Sequence, residues 1–165
     1  TGVLKKKTME KRVSLMLKNR GDKYVIFYMV DLDNFKNVND TLGHIYGDQA
    51  IVETAQCLNK VFANQDCIGR LGGDEFAVCV SYQAFDEQGL LEFIGKKAQE
   101  ICAGNRRTYT DNAASVSITS SIGVAYAPDM GDSFTELYTQ ADCALYYSKA
   151  NGKDQYHIYS PKDDN

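Results

Sequence analysis

Acidic residues beside a pair of glycines are the part of this sequence best suited to chemistry. Asp74 and Glu75 directly follow two glycines, and Asp31 closes an apolar run over residues 24–30. The glycines lie between two apolar stretches, which predicts a hairpin whose tip takes backbone angles that a Cβ forbids. Carboxylates that converge beside bare backbone suit a site for hard cations and the phosphates they carry. A solvated acidic turn is the alternative interpretation.

The elements that must position these acids follow from hydrophobic periodicity. Apolar residues recur at helical spacing over 8–19, 48–63, 90–103 and 134–149, and strand patterns cover 24–30, 116–125 and 155–159. A hairpin over 66–81 carries the glycines, and a short polar helix or turn runs through residue 40. Strands interleaved with long helices predict a single α/β (α+β) domain with helices packed on a central sheet.

Composition limits the classes of function. The chain has 165 residues, of which 44% are hydrophobic, and a net charge of −4. This acidic balance argues against a nucleic-acid groove as the main function, because phosphate backbones select basic surfaces. The longest apolar run is too short to span a bilayer, so we expect no direct membrane contact from this segment.

Cysteine usage indicates a reducing compartment. The count is odd, no CxxC pair occurs, and most cysteines lie in apolar periodic segments, which favours reduced core thiols in a cytoplasmic protein. These cysteines are Cys57, Cys67, Cys79, Cys102 and Cys143.

Four blocks in order resemble one family. Residues 31–48 read DLDNFKNVNDTLGHIYGD and 72–76 read GGDEF, followed by SIGVA at 121–125 and ADCALYYSKANGK at 141–153. These blocks are similar to the conserved motifs of the GGDEF family of diguanylate cyclases, and the match runs from residue 1 to about residue 159. The resemblance implies a fold like that of nucleotide cyclases and polymerase palms, and condensation of two GTP into cyclic di-GMP with release of pyrophosphate.

The resemblance also implies a domain organisation. We expect one GGDEF domain over 1–165, with an amino-terminal segment and helix (1–20), a cyclase core (21–159) and a tail (160–165). The chain opens on Thr1 without a methionine, so we expect it to be part of a longer protein.

By resemblance, the metal site consists of Asp31, Asp74 and the backbone carbonyl of Leu32, with Glu75 beside them. The expected cofactor is Mg²⁺, two ions for each active half-site, with Mn²⁺ as an alternative. Either Asp74 or Glu75 is expected to assist removal of the 3′-hydroxyl proton.

The resemblance assigns the nucleotide to two groups of residues. Asn39 and Asp48 match the guanine readers, since a carboxylate accepts from guanine donors that adenine lacks. Asp48 as the N-cap of the following helix is an alternative. His44 matches a position near the nucleotide, although a loop histidine is also commonly just solvated. Gly72 and Gly73 are expected to lie against the substrate.

The phosphates are expected at a turn and at a helix end. Asn34, Phe35 and Lys36 match the turn whose backbone N–H groups hold the β- and γ-phosphates, with core packing as an alternative for Phe35. Lys149 and Lys153 match the phosphate-contacting cations, with a solvated helix end as the alternative. Lys153 stands where the family usually has arginine, so the bidentate fork is lost.

Two departures from the family bear on regulation. The product-inhibition motif RxxD reads Ala63-Asn64-Gln65-Asp66 here, so the arginine is missing and we predict a degenerate site. Arg70 or Lys60 could partly compensate. Lys5 and Lys6 replace an Asn-Arg pair near the amino end, which puts the linker geometry in doubt.

The predicted function is therefore a diguanylate cyclase that acts as a homodimer, with GTP as substrate and cyclic di-GMP as product. A non-catalytic GTP- or dinucleotide-binding signalling module is the alternative. A cyclase making a mixed purine dinucleotide is a third reading, and the presence of Asp48 argues against it.

Overall fold

The computed structural model describes residues 2–63 and 66–164, which form five α-helices, seven strands and a carboxy-terminal 3₁₀ turn. The helices are α1 (Lys6–Lys18), α2 (Phe35–Leu42), α3 (His44–Val61), α4 (Glu87–Asn105) and α5 (Phe134–Ala150). The strands are β1 (Leu4–Lys5), β2 (Tyr24–Asp33), β3 (Cys67–Gly72), β4 (Glu75–Tyr82), β5 (Arg107–Thr110), β6 (Ser115–Ala127) and β7 (Tyr156–Ile158), and the 3₁₀ turn spans Pro161–Asp164.

One mixed sheet joins the strands in the order β1-β3-β4-β2-β6-β5, with β7 added on β6. Strand β2 lies at the centre and pairs antiparallel with β4 on one side and β6 on the other. The short outer pairs β1–β3 and β6–β7 are parallel. The predicted α/β class with a central sheet and surrounding helices is confirmed.

Helices cover both faces of the sheet, which is why β2 is apolar almost throughout. Its alternate residues Ile26, Tyr28 and Val30 pack in a core with residues of α2, α3 and α4. The intervening residues Val25 and Phe27 pack in a second core with α1 and α5. Side chains alternate along a strand, so this parity directs Asp31 and Asp33 to the α5 face.

Helix α5 lies very close to the sheet at Gly123 of β6. A Cβ at this position would overlap the backbone of Ala141 and Leu145 in α5. The glycine therefore sets how near the helix can approach, and with it the reach of Lys149 in the last turn of α5.

The structure confirms the predicted helices and main strands, with local differences. Strands β1 and β5 were not predicted, because short strands without an apolar alternation give no periodic signal. Helix α3 begins at His44, four residues before the predicted start at Asp48. Gly43 explains the difference, since its φ of 96° turns the chain directly from α2 into α3.

Two further expectations concern burial and membranes. Cys67, Cys79 and Cys102 are buried, while Cys57 and Cys143 are half-buried. Within residues 2–63 and 66–164, no helix is both long and apolar enough to cross a bilayer.

Candidate active site

The acids of the sequence motifs meet where β2 ends beside the β3–β4 hairpin. Asp31 is the direct register partner of Glu75 across the β2–β4 pair. The backbone N–H of Leu32 donates to the carbonyl of Asp74 at 3.2 Å. The structure thus brings the four predicted metal-site residues together where the central strands β2 and β4 meet the hairpin tip.

Asp31 has the character of a cation ligand. Its side chain is 18% exposed, and its buried Oδ1 has no hydrogen-bond partner among the described residues. The pKa of Asp31 is raised to about 6, because burial and the nearby charge of Asp74 together outweigh the opposing hydrogen bond from Lys149. A buried carboxylate with an orphaned oxygen beside a second carboxylate is stabilised by a bound cation.

The donor set fits Mg²⁺ bound together with a phosphate ligand. Within the described ranges, 2–63 and 66–164, no three His, Cys, Asp or Glu side chains are placed to chelate a metal ion by themselves. Magnesium is commonly held by one or two carboxylates, with water and substrate phosphates as the remaining ligands. Asp31 and Asp74 supply hard oxygen donors of this kind.

Lys149 lies between two carboxylates on the α5 face. Its Nζ is 2.9 Å from Oδ2 of Asp31 and 3.3 Å from Oδ1 of Asp33. Burial lowers the pKa of Lys149, but the contacts with the two carboxylates outweigh burial and raise it overall. The lysine is therefore a fixed ammonium at the site and not a solvated helix end.

Asp33 is a functional candidate that the sequence interpretation did not assign. It is 3% exposed and accepts hydrogen bonds from the hydroxyls of Thr119 and Ser121, both at 2.7 Å. Burial raises its pKa, but these bonds outweigh burial, so the pKa of Asp33 is lowered. Side chains alternate between the two faces of a strand, so Asp33 lies on the same face of β2 as Asp31. This spacing could have indicated Asp33 from the sequence.

Glu75 contacts Tyr138 of α5, and Lys6 of α1 lies over the Tyr138 ring. The hydroxyl of Tyr138 in α5 donates to Glu75 Oε1 at 3.5 Å, and Lys6 Nζ lies 5.2 Å from the Tyr138 ring centroid. Burial raises the pKa of Glu75, and the charges of Asp142 and Asp74 raise it further. A raised pKa near other acids is typical of groups that exchange protons or bind metals.

The hairpin tip is open on its outer side. Gly73 has a left-handed φ of 44°, as predicted for a glycine in the turn, whereas Gly72 is not in that region. No described atom lies within 4 Å of a Cβ built on either glycine, so a ligand can approach the backbone. Arg70 donates from Nε and Nη2 to the carbonyl of Gly73 at 2.9 and 2.6 Å, so it is committed to the turn.

The predicted guanine readers lie at the corner between α2 and α3. Asn39 is half-buried in α2, and a Cβ at Gly47 would overlap its side chain. His44 and Asp48 are exposed in the first turns of α3. The N-cap alternative for Asp48 is wrong, because α3 begins at His44 and Gly43 occupies the cap position.

The turn predicted to bind phosphate, residues 34–36, has one residue in the left-handed region and leads into a helix without a side-chain cap. Asn34 has a φ of 70° and precedes α2, but its Nδ2 donates to the carbonyl of Ser117 at 3.1 Å. Among the described residues, no side chain caps α2, which leaves first-turn N–H groups for another acceptor. Phe35 is half-buried against the core, so the packing alternative holds for its side chain, while Lys36 is exposed.

The end of α5 carries Lys153 in a tight turn. Lys153 is exposed with a φ of 63°, and its backbone N–H donates to the carbonyl of Ser148 at 3.0 Å. Asp154 follows with a φ of 50° and pairs with Arg106 at 2.9 Å. The side chain of Lys153 is thus presented on a defined turn.

The predicted product-inhibition slot lies apart from this site, between α3 and β3. Asp66 Oδ2 accepts the backbone N–H of Ala63 at 3.0 Å, so this carboxylate already has a hydrogen-bond partner. Burial raises the pKa of Asp66, with Lys97 opposing the shift. Residues 64 and 65 of the slot lie outside the described residues.

Comparisons with known proteins identify the family. The protein-family model described as diguanylate cyclase, GGDEF domain, matches residues 1–155. The chain is 35% identical over 141 residues to the bifunctional diguanylate cyclase/cyclic di-GMP phosphodiesterase MucR of Pseudomonas aeruginosa, covering 85% of this chain and 20% of MucR. It is 29% identical over 162 residues to the cyclic di-GMP phosphodiesterase PdeR of Escherichia coli, covering 98% of this chain and 24% of PdeR.

The chain thus spans about a quarter or less of these two curated relatives. A solved structure that comprises only the GGDEF domain of PA1120 from Pseudomonas aeruginosa superimposes with a TM-score of 0.88 at 28% identity. That alignment covers 99% of this chain and 94% of the solved one. The family match, the shared fold and the grouped motif residues together show that this chain belongs to the GGDEF family of diguanylate cyclase domains.

Proposed function

We propose that this domain is an active diguanylate cyclase that condenses two GTP into cyclic di-GMP and two pyrophosphates. The observation that carries the proposal is the state of Asp31, whose buried Oδ1 lacks a partner among the described residues. An unpaired, buried carboxylate oxygen destabilises the fold, so its presence supports a role in binding a metal–nucleotide complex.

The substrate triphosphate lies between the start of α2 and the end of α5 in this proposal. The uncapped N–H groups of α2 after Asn34 donate hydrogen bonds to the terminal phosphates, as helix N-termini do to anions. Lys36, Lys149 and Lys153 supply positive charge around them. Asn39 and Asp48 read the guanine edge, and the open backbone of Gly72 and Gly73 leaves room for the nucleotide.

In this proposal Asp31, Asp74 and the Leu32 carbonyl would hold Mg²⁺, with Mn²⁺ as a substitute. When bound, the ions neutralise the triphosphate and make the attacking 3′-hydroxyl more acidic. Glu75, whose pKa is raised by burial, is positioned by Tyr138 to accept that proton or to complete the coordination.

The reaction requires two copies of the domain. Each copy holds one GTP, and the 3′-hydroxyl of each must reach the α-phosphate of the other. A two-fold arrangement with the open hairpin tips facing each other satisfies this geometry.

A non-catalytic nucleotide-binding module is the second candidate. It is favoured by the similarity to PdeR, which is named a phosphodiesterase and whose matched region covers 98% of this chain. In that case the domain binds GTP or a dinucleotide and signals through the rest of a longer protein.

Turnover and binding measured on the same sample separate the two candidates. We expect the purified domain to convert GTP to cyclic di-GMP with Mg²⁺, and the Asp74→Asn variant to bind GTP without converting it. GTP binding without turnover in the unsubstituted, dimeric protein would favour the non-catalytic module.

A further inference from the structure

Asp33 joins three elements at the edge of the site. Its Oδ2 accepts from the hydroxyl of Thr119 at 2.7 Å and from the backbone N–H of Asp154 at 3.2 Å. Its Oδ1 accepts from the hydroxyl of Ser121 at 2.7 Å and from Lys149 at 3.3 Å. The carboxylate of β2 thereby fixes both the lysine of α5 and the turn that follows this helix.

Asp31 and Asp33 both contact Lys149, but they differ in how many hydrogen bonds their carboxylates accept. Both oxygens of Asp33 are saturated with donors from the surrounding elements. Asp31 has Lys149 on Oδ2, and its Oδ1 has no partner among the described residues. One carboxylate is therefore a fixed structural anion, whereas the other is open to an incoming cation.

We propose that Asp33 is a positioning residue that retains Lys149, and the turn carrying Lys153, beside the triphosphate when a cation occupies Asp31. The inference rests on the proposed GTP-binding function. A cation on Asp31 repels the Lys149 ammonium, and Asp33 is the other anion already within 3.3 Å of it. The hydrogen bond to Asp154 keeps the preceding residue, Lys153, at the same place.

Removing the charge of Asp33 changes nucleotide affinity in two opposite ways. Removing the Asp33 charge lessens its repulsion of the phosphates, but it also frees the lysine and the turn. Lys149, Thr119 and Ser121 all donate hydrogen bonds to the Asp33 carboxylate. These donors offset its negative charge, so its repulsion of the phosphates is small. The loss of position therefore dominates, and nucleotide affinity falls.

A double-mutant cycle between Asp33 and Lys149 tests the proposal. The probe is 3′-deoxy-GTP with Mg²⁺, which lacks the attacking hydroxyl, and its affinity is measured by titration calorimetry. We expect Asp33→Asn to weaken binding about tenfold when Lys149 is present and about twofold in the Lys149→Met background, where only the hold on the turn carrying Lys153 is lost. That difference corresponds to a coupling of about 1 kcal/mol.

Thr119→Val is the matched control. It removes one hydrogen bond to the same carboxylate and leaves the charge in place. A merely structural role of Asp33 predicts that Thr119→Val and Asp33→Asn weaken both stability and binding alike. Equal effects of Asp33→Asn with and without Lys149 would also overturn the proposal.

Two further measurements separate this inference from the proposed function. Hydrogen exchange of the Asp154 amide, measured without nucleotide, should accelerate in Asp33→Asn and not in Thr119→Val. No binding of guanine nucleotide by the unsubstituted protein would instead refute the proposed function. If Asp33→Asn does not fold, a crystal structure of the unsubstituted protein with the same probe decides, because Lys149 released from Asp33 would contradict the proposal.

Discussion

Asp31, the proposed metal ligand, lowers the stability of the metal-free protein because its carboxylate is buried. Its pKa is raised to about 6 by burial and by Asp74, so the folded state holds a proton that the unfolded chain releases near its usual value of 3.8. In the metal-free protein, stability therefore falls as the pH rises from about 4 to about 6.

Replacing Asp31 removes this cost. We expect Asp31→Asn, in the presence of a chelator, to be at least as stable as the unsubstituted protein at pH 8, with a gain of up to about 2–3 kcal/mol. The gain should vanish near pH 4, where the carboxyl is protonated in both states. Asp40→Asn is the control, because Asp40 is exposed on α2. Thermal unfolding across pH measures the effect, and a destabilised Asp31→Asn at pH 8 would contradict this account of Asp31.

Asp48 governs base selection in the proposed function. We expect GTP to bind measurably and ATP not to, since the Asp48 carboxylate finds no donor pair on adenine. In Asp48→Asn the preference for GTP over ATP should shrink by about 1–2 kcal/mol. Calorimetry with both nucleotides measures it, and comparable affinities in the unsubstituted protein would refute the assignment.

At the residue scale, the sequence predicted which acidic residues lie close together, but not the residues that hydrogen-bond to them. Asp74 and Glu75 were predicted from a contiguous pattern beside glycines, and Asp31 from its place at the end of an apolar run. Asp33 and Tyr138 were not assigned, because their contacts join elements more than sixty residues apart in sequence. Such pairings depend on strand register and helix placement, which no local pattern contains.

Helix α5 is the element that carries Lys149 to the sheet, and Gly123 sets its distance. We expect Gly123→Ala to destabilise the fold by about 1–3 kcal/mol, because the added methyl overlaps the α5 backbone. Nucleotide affinity should fall as well, since α5 must shift. Ser115→Ala, at the exposed start of the same strand, is the control. Unchanged thermal stability and unchanged affinity in Gly123→Ala would contradict the role of this close approach.

The predicted product-inhibition residues Ala63 and Asp66 lie on either side of the connection from α3 to β3. Asp66 is engaged by Ala63, and Arg70 is committed to Gly73, so we expect weak product inhibition. Ala63→Arg should increase the affinity for cyclic di-GMP by about a hundredfold through a bidentate phosphate contact. Ala63→Lys, which supplies charge without the fork, should give a smaller increase. Tight inhibition of the unsubstituted domain, unchanged by Ala63→Arg, would show that this site was misread.

Element boundaries followed from the sequence where periodicity was strong. The long helices and β2 were predicted because apolar residues repeat along them. The start of α3 was missed by four residues, because the conformation of Gly43 and not periodicity decides it. The short strands β1 and β5 exist because neighbouring strands offer hydrogen bonds, which is a tertiary effect.

For the whole molecule, the proposed reaction makes activity depend on the encounter of two copies. We expect the specific activity of the isolated domain to rise with protein concentration, because each active arrangement needs two nucleotide-loaded domains. Initial rates over a wide dilution range, with sedimentation of the same samples, measure this. A constant specific activity from a strict monomer would exclude the two-fold mechanism.

Product identity tests the central claim most directly. Purified protein is incubated at high concentration with GTP and Mg²⁺, and the products are identified by mass spectrometry. We predict that the protein forms cyclic di-GMP and releases two pyrophosphates for each dinucleotide, and that Asp74→Asn forms no product. Folded protein that binds GTP and dimerises, yet forms no cyclic dinucleotide, would contradict it.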